Sequence, residues 1–318
     1  TVGASRSVLA RPGTGGPGDD EVRALWVTRW DYKTEEDVRR VVRWSAALGL
    51  NRIFFQVRGR ADAFYRSNLE PWGEELGAKD PGFDPLQTAV REARKAGVEL
   101  HAWINVLPAW KGKNLPRNAR HVLHQHPEWI VTDSRGHRPA SSAADYVVLN
   151  PCLPEVRLYL AEVVKDIVGR YEVQGIQLDY IRFSGRAGGK TADFPFDPRT
   201  LGLFRKYSGG TPTTAPEEWD RWRTLAVDTL LYRLSRAAKQ ARAECLVSVA
   251  ALPARHASPV LSIRQTIVAV RRINATRAIF EPRRRLIRWY QVRTVPSRRS
   301  KCSTTSASRQ RTIRLPTW

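Results

Sequence analysis

The sequence predicts an α/β fold of the (β/α)8 TIM-type barrel kind, incomplete after the fifth strand. Short β-rich runs alternate with amphipathic helical segments from residue 21 onward, which implies parallel strands joined by right-handed crossovers. No Gly-rich phosphate loop follows the first strand, where a dinucleotide-binding sheet would carry one. Polar and charged residues collect just past the strand ends (Arg29 and Asp31, Arg58 and Asp62, Asn105, Asp179 and Arg182), where barrels of this kind build their active sites.

Residues 1–20, rich in Gly, Pro, Ser and Thr, read as a flexible leader. The first strand is 22–28 (VRALWVT). A helix over 35–48 follows, with Thr34 as its N-cap, an apolar stripe through Val38, Val41, Val42, Ala46 and Leu48, and Gly49 as its stop. The second strand is 52–57 (RIFFQV). Asp84 caps a helix over 84–96, and Pro85 suits its first turn. The third strand is 98–105 (VELHAWIN), and after a long loop a helix is expected over 154–170, with Val156, Leu160, Val163, Val164 and Ile167 on one side. The fourth strand is 175–180 (GIQLDY), a helix covers 217–243, and the fifth strand is 246–252 (LVSVAAL).

The 318 residues are 42% hydrophobic and 26% charged, a globular composition, and no run approaches the ~18 apolar residues of a membrane-spanning helix. Cys152, Cys245 and Cys302 are too few and too scattered for a disulfide framework or a zinc site. His121, His124, His126, Glu128 and Asp133 lie close together, yet HVLHQHPEW lacks the spacing of helical zinc sites. No metal and no cofactor are expected. The formal charge of +22 is unevenly spread: residues 253–318 hold fifteen Arg, one Lys and a single acid, Glu281. That tail also lacks Gly and Asp, so its helices would have neither stops nor caps. The chain therefore divides into the leader 1–20, a barrel domain 21–252 of about five βα units, and an Arg-rich tail 253–318. Translation in a shifted frame and a basic nucleic-acid-binding tail are the competing accounts of the last segment, and the first is preferred because Arg is mixed with Trp, Ile and Val. With a shifted tail the chain as it stands holds five-eighths of a barrel and is expected not to turn over substrate.

Five motifs in order carry a resemblance: VRALWVTRWDY; FFQVRGRADAFYRSNLEPW; FDPLQTAVREARKAGVELHAWIN; HPEW; and LNPCLPEVRLYLAEVVKDIVGRYEVQGIQLDYIRF. Together they resemble the glycosyl-hydrolase-like 10 family of bacterial barrel proteins, densely over about residues 21–184. The resemblance implies a (β/α)8 barrel that hydrolyses O-glycosyl bonds of a polysaccharide or cell-wall glycan, outside the cytoplasm. Glycosidic cleavage normally uses two carboxyl groups flanking the scissile bond. Asp179, led to the barrel mouth by GIQL, is the first candidate, and in the resemblance it matches the strand-four acid that serves as nucleophile or charge stabiliser. A salt bridge to Arg182 is the plain alternative. Asp62 is the second candidate, with a loop salt bridge to Arg58 or Arg60 equally expected, and the family tends to show Pro and Gly where this chain has Gly59, Arg60 and Ala61.

Arg58 and Tyr65 are expected to bind sugar hydroxyls or to hold Asp62 ionised. His101, Trp103 and Asn105 alternate along the third strand and so share one face, the barrel interior, with His101 read as a hydrogen-bonded interior residue. Trp103, Trp26 and Trp30 are candidate walls for sugar stacking. Asn150, Tyr180 and Arg182 complete the expected substrate contacts. A carbohydrate-binding barrel without turnover is the alternative, favoured where no second carboxylate lies within ~10 Å of Asp179. A third reading, nucleic-acid binding through the tail, predicts steep salt dependence that survives Asp179→Asn.

Overall fold

A computed structural model describes residues 22–112, 114–138, 146–183 and 193–250, with the backbone of 186–187, 190–191 and 287–291. The leader, and all of the Arg-rich tail except 287–291, lie outside the described residues.

The capping signals work as read. Helix α1 (Glu35–Ala47) starts at Thr34, whose hydroxyl accepts from the Asp37 N–H while the Asp37 carboxylate accepts from the Thr34 N–H, a reciprocal capping box. Helix α2 (Pro85–Ala96) is capped by Asp84, which accepts from the Gln87 N–H, and it ends at Gly97 in the left-handed region. Helix α4 (Pro154–Arg170) has the expected bounds and faces Val156, Leu160, Val163, Val164, Ile167 and Val168 into the core. Helix α6 (Pro216–Ala241) is the long helix before the fifth barrel strand.

The sheet strands are β1 (Val22–Val27), β2 (Arg52–Arg58), β3 (Glu99–Asn105), β6 (Gly175–Asp179), β9 (Leu246–Val249) and β10 (Ile287–Gln291). They form one parallel sheet in the order β10, β1, β2, β3, β6, β9. The described residues are thus an incomplete TIM-type barrel, with β9 and β10 at the two ends of the row. Strand β10, inside the Arg-rich segment, pairs with β1 from Val22↔Ile287 to Trp26↔Gln291.

Alternation along the strands divides the sheet into two faces. Leu25, Val27, Ile53, Phe55, Val57, Leu100, Ala102, Ile104, Ile176 and Leu178 belong to the main core shared with the helices. Val22, Ala24, Phe54 and Trp103, with Trp26 packed on them, form a second cluster on the other face, the barrel interior. His101 is also interior, and it explains Gly175: a Cβ there would lie 2.5 Å from the His101 ring and 2.8 Å from the Leu246 carbonyl oxygen.

Between β3 and α4 the long loop holds a short antiparallel pair, β4 (Pro108–Trp110) with β5 (Val147–Val148), and a single helical turn, α3 (Val122–Gln125). Past β6, a two-residue hairpin, β7 (Arg186–Ala187) with β8 (Lys190–Thr191), precedes helix α5 (Pro198–Ser208). Asp197 caps α5, Pro198 opens it and Gly209 stops it, the same signals that mark α2.

Candidate active site

The C-terminal ends of β1, β2, β3 and β6 converge on one mouth. At its centre is Asp179, the last residue of β6, in register with Asn105, the last residue of β3. The Asp179 side chain is 14% exposed, and its Oδ1 accepts the Tyr180 N–H at 2.7 Å while Arg182 stands 4.0 Å away. Burial raises the carboxyl above the ordinary aspartate value, and the Tyr180 N–H, the Arg182 charge and the Trp103 indole only partly offset it. Tyr180 has φ +53°, a left-handed backbone unusual for a bulky residue, immediately after the acid. Its ring packs against Tyr146 at 5.4 Å and lies 4.8 Å under the Arg182 guanidinium.

Trp103 is buried at the interior side of this group, edge-on to Trp26 at 4.5 Å. Asn105 donates from Nδ2 to the Gly59 carbonyl at 3.2 Å, and its buried Oδ1 has no hydrogen-bond partner among the described residues. Trp30, just past β1, is 56% exposed, and one face of its ring is covered by the Arg29 guanidinium at 3.9 Å. Arg29 is buried and ties β1 to the next loops by donating from Nε to Glu75 at 3.0 Å.

Several expected contacts lie elsewhere. A β-bulge between Gln56 and Arg58 shifts the register, so that Gln56 opposes Trp103 but Arg58 opposes Ile104. Arg58 leaves the interior row and is fully buried, bonded to Glu70 and to the Asn105 and Val106 carbonyls. Tyr65 is fully buried in the main core, edge-on to Tyr171 at 5.7 Å. Asp62, 1% exposed, folds back on its own loop: Oδ1 accepts the Arg60 N–H at 2.7 Å and Oδ2 faces the Arg60 guanidinium at 3.6 Å.

His101 is opposite Phe54 and Gly175, at the opposite end of β6 from Asp179, about 13 Å along the strand. Burial lowers its ring pKa, against the pull of Glu99, so it is neutral at pH 7. Asn150 is a joint of the fold: Nδ2 donates to Asp197 and Thr200, each at 2.7 Å, and Oδ1 accepts the Cys152 N–H at 2.9 Å. His121 caps α3 through Nδ1 and meets the Arg60 carbonyl through Nε2 at 2.8 Å, which accounts for the most buried of the clustered histidines.

Two mouth residues escaped sequence reading. Tyr146 sits in a loop with no periodicity, and Lys111 lies 4.9 Å over its ring. Glu75, in a short turn, is held by Arg29 and by Arg60 at 2.9 Å.

The model of the glycosyl hydrolase-like 10 family matches residues 21–271. The chain belongs to the glycosyl hydrolase-like 10 family. The match runs through the barrel domain and into the Arg-rich segment. Glycosyl hydrolase DigH of Escherichia coli O6:H1 is 30% identical over 210 residues, covering 62% of this chain and 43% of that protein. Glycosyl hydrolase YngK of Bacillus subtilis is 24% identical over 241 residues, covering 70% of this chain and 43% of its own length. The chain thus spans less than half the length of these family relatives. The fold is shared with an α-L-fucosidase isoenzyme 2 from Paenibacillus thiaminolyticus, at TM-score 0.52 and 16% identity over 73% of this chain and 32% of that one. It is shared also with the PgaB (BpsB) glycoside hydrolase domain from Bordetella bronchiseptica, at TM-score 0.50 and 14% identity over 80% of each chain. No helix among the described residues is long and apolar enough to cross a membrane.

Proposed function

We propose that this member of the glycosyl hydrolase-like 10 family is a glycoside hydrolase acting on a polysaccharide or cell-wall glycan, with Asp179 as its reacting carboxyl group. The observation that carries this reading is the placement of Asp179, a carboxyl buried at a strand end in an aromatic mouth, where burial raises it above the ordinary aspartate value, beside an Asn105 oxygen with no hydrogen-bond partner among the described residues. A carboxyl whose protonated form is favoured suits donation of a proton to the glycosidic oxygen as the bond breaks. Asn105 Oδ1 accepts from a sugar hydroxyl, Tyr180 and Arg182 border the same subsite, and Trp30 offers its open face to a sugar ring. Trp103 and Trp26 wall the inner end. Asp62 and Arg58 shape the loops around the mouth instead of touching the glycan.

The test is hydrolysis of a panel of polysaccharides and cell-wall glycans by the full chain, read as new reducing ends. Release of sugar from one class supports the reading. A second reading, a carbohydrate-binding barrel without turnover, is favoured by a specific observation: Glu75 and Asp62, two acids of the loop after β2, are both engaged by Arg60. Glycan binding without hydrolysis across the panel would establish it. Under either reading Trp30→Ala is expected to weaken glycan binding about fivefold to tenfold by calorimetry, the worth of one aromatic face. Unchanged affinity would remove Trp30 from the subsite.

A further inference from the structure

We propose that Arg58, Glu70 and Tyr159 form a buried positioning unit that fixes the end of β3 and, through it, the main chain that carries Asp179. The inference rests on the reading of Asp179 as the reacting group. The unit joins three parts of the chain: the bulged end of β2, the loop that follows it, and helix α4. Arg58 donates from Nε to both Glu70 oxygens at 2.9 and 3.0 Å, and its Nη2 lies 2.8 Å from Oε1. The Tyr159 hydroxyl donates to the same oxygen at 2.5 Å. Neither charged side chain has any exposed surface.

The remaining arm of the guanidinium connects the unit to the mouth. Arg58 Nη1 donates to the Asn105 carbonyl and, at 3.0 Å, to the Val106 carbonyl. The Val106 N–H in turn donates to the Asp179 carbonyl at 2.7 Å. One planar fork therefore grips the two peptide oxygens next to the bond that holds Asp179 in place. Burying both charges is costly, and an apolar trio of equal volume would stabilise the fold as well or better. What the apolar trio would lack is the fixed direction of the fork. The bulge at Val57 serves this end, since without it Arg58 would stay in the interior row.

Arg58→Lys separates position from charge. It keeps the positive charge near the mouth, yet an ammonium cannot span the carboxylate and two carbonyls as the guanidinium does. The readout is the titration of the Asp179 carboxyl by carbon-13 NMR, assigned by its loss in Asp179→Asn. The groups that face this carboxyl are the Tyr180 N–H, Arg182 and Trp103, none of them altered by the substitution. A loosened strand end admits water, so the Asp179 midpoint is expected to fall toward the ordinary aspartate value. With a hydrolysed glycan, kcat is expected to drop about 10-fold to 100-fold at nearly constant KM. Tyr159→Phe, which removes one hydroxyl and no charge, is the milder second variant and is expected to give a smaller shift in the same direction. An unchanged Asp179 midpoint in both variants, even with a lowered melting temperature, overturns the proposal and leaves the unit a purely structural one. The midpoint is read without glycan, so absence of hydrolysis by the unaltered chain counts against the proposed function and not against this inference.

Discussion

Asp179→Asn is expected to lower kcat by about 10²-fold to 10⁴-fold on any glycan the chain hydrolyses, the range associated with removal of a positioned proton donor. The substituted amide keeps the shape and can still accept the Tyr180 N–H, so KM should stay within about twofold. The pH dependence identifies the role. Burial raises the Asp179 carboxyl, so as a proton donor it is competent below its raised value and loses activity as pH rises through it. A nucleophile or charge stabiliser would behave in the opposite sense, losing activity as pH falls through the same value. A kcat profile that declines only on the acid side would therefore sink the donor role while leaving Asp179 in the site.

Stability gives a second check with its own sign. In the unfolded chain Asp179 titrates at the ordinary aspartate value, below its folded one, so between the two the folded state holds the proton more tightly. The stability contributed by the protonated form is complete below the ordinary value and is lost as pH rises through the raised one. Above that window the carboxylate is a buried charge with only partial compensation, and Asn, which never ionises, avoids it. The variant should then be at least as stable as the unaltered chain in urea unfolding at neutral pH. A marked loss of stability would mean that Asp179 is held there for the fold.

The sequence carried the regular parts of this molecule because regular parts follow local rules. Thr34 with Asp37, Asp84 with Pro85, and Pro154 each mark a helix start by satisfying or removing an orphan N–H, and all three helices begin where those residues say. Period-two alternation likewise places Trp26, Trp103 and Asp179 on the interior face. The failures have equally definite causes. Alternation also places Arg58 inside, but one extra residue in β2 breaks the period, and a bulge leaves no mark in residue types. Alternation is silent about depth, so His101 and Asn105 look equivalent although one is at the floor end of the strands and the other at the mouth. Glu75 and Tyr146 come from irregular loops whose path depends on partners far along the chain.

Asn150→Ala is expected to cost about 3 kcal/mol of unfolding free energy, from the loss of buried hydrogen bonds and the orphaning of their partners. Asn150 is fully buried, and its amide links the turn before α4 to the first turn of α5 through Asp197 and Thr200. Removing it leaves the Cys152 N–H without its acceptor and Asp197 with one donor fewer. The nearly isosteric Asn150→Asp is informative because it turns a donor into a second acceptor against the Asp197 carboxylate. At neutral pH two buried carboxylates would then stand at hydrogen-bond distance, so this variant should be at least as unstable as the alanine one. Lowering the pH should restore part of its stability, since a protonated carboxyl can donate again, whereas the alanine variant has no such recovery. Both should bind glycan with unchanged affinity wherever they remain folded. A fall in affinity without a fall in stability would instead place Asn150 against the substrate.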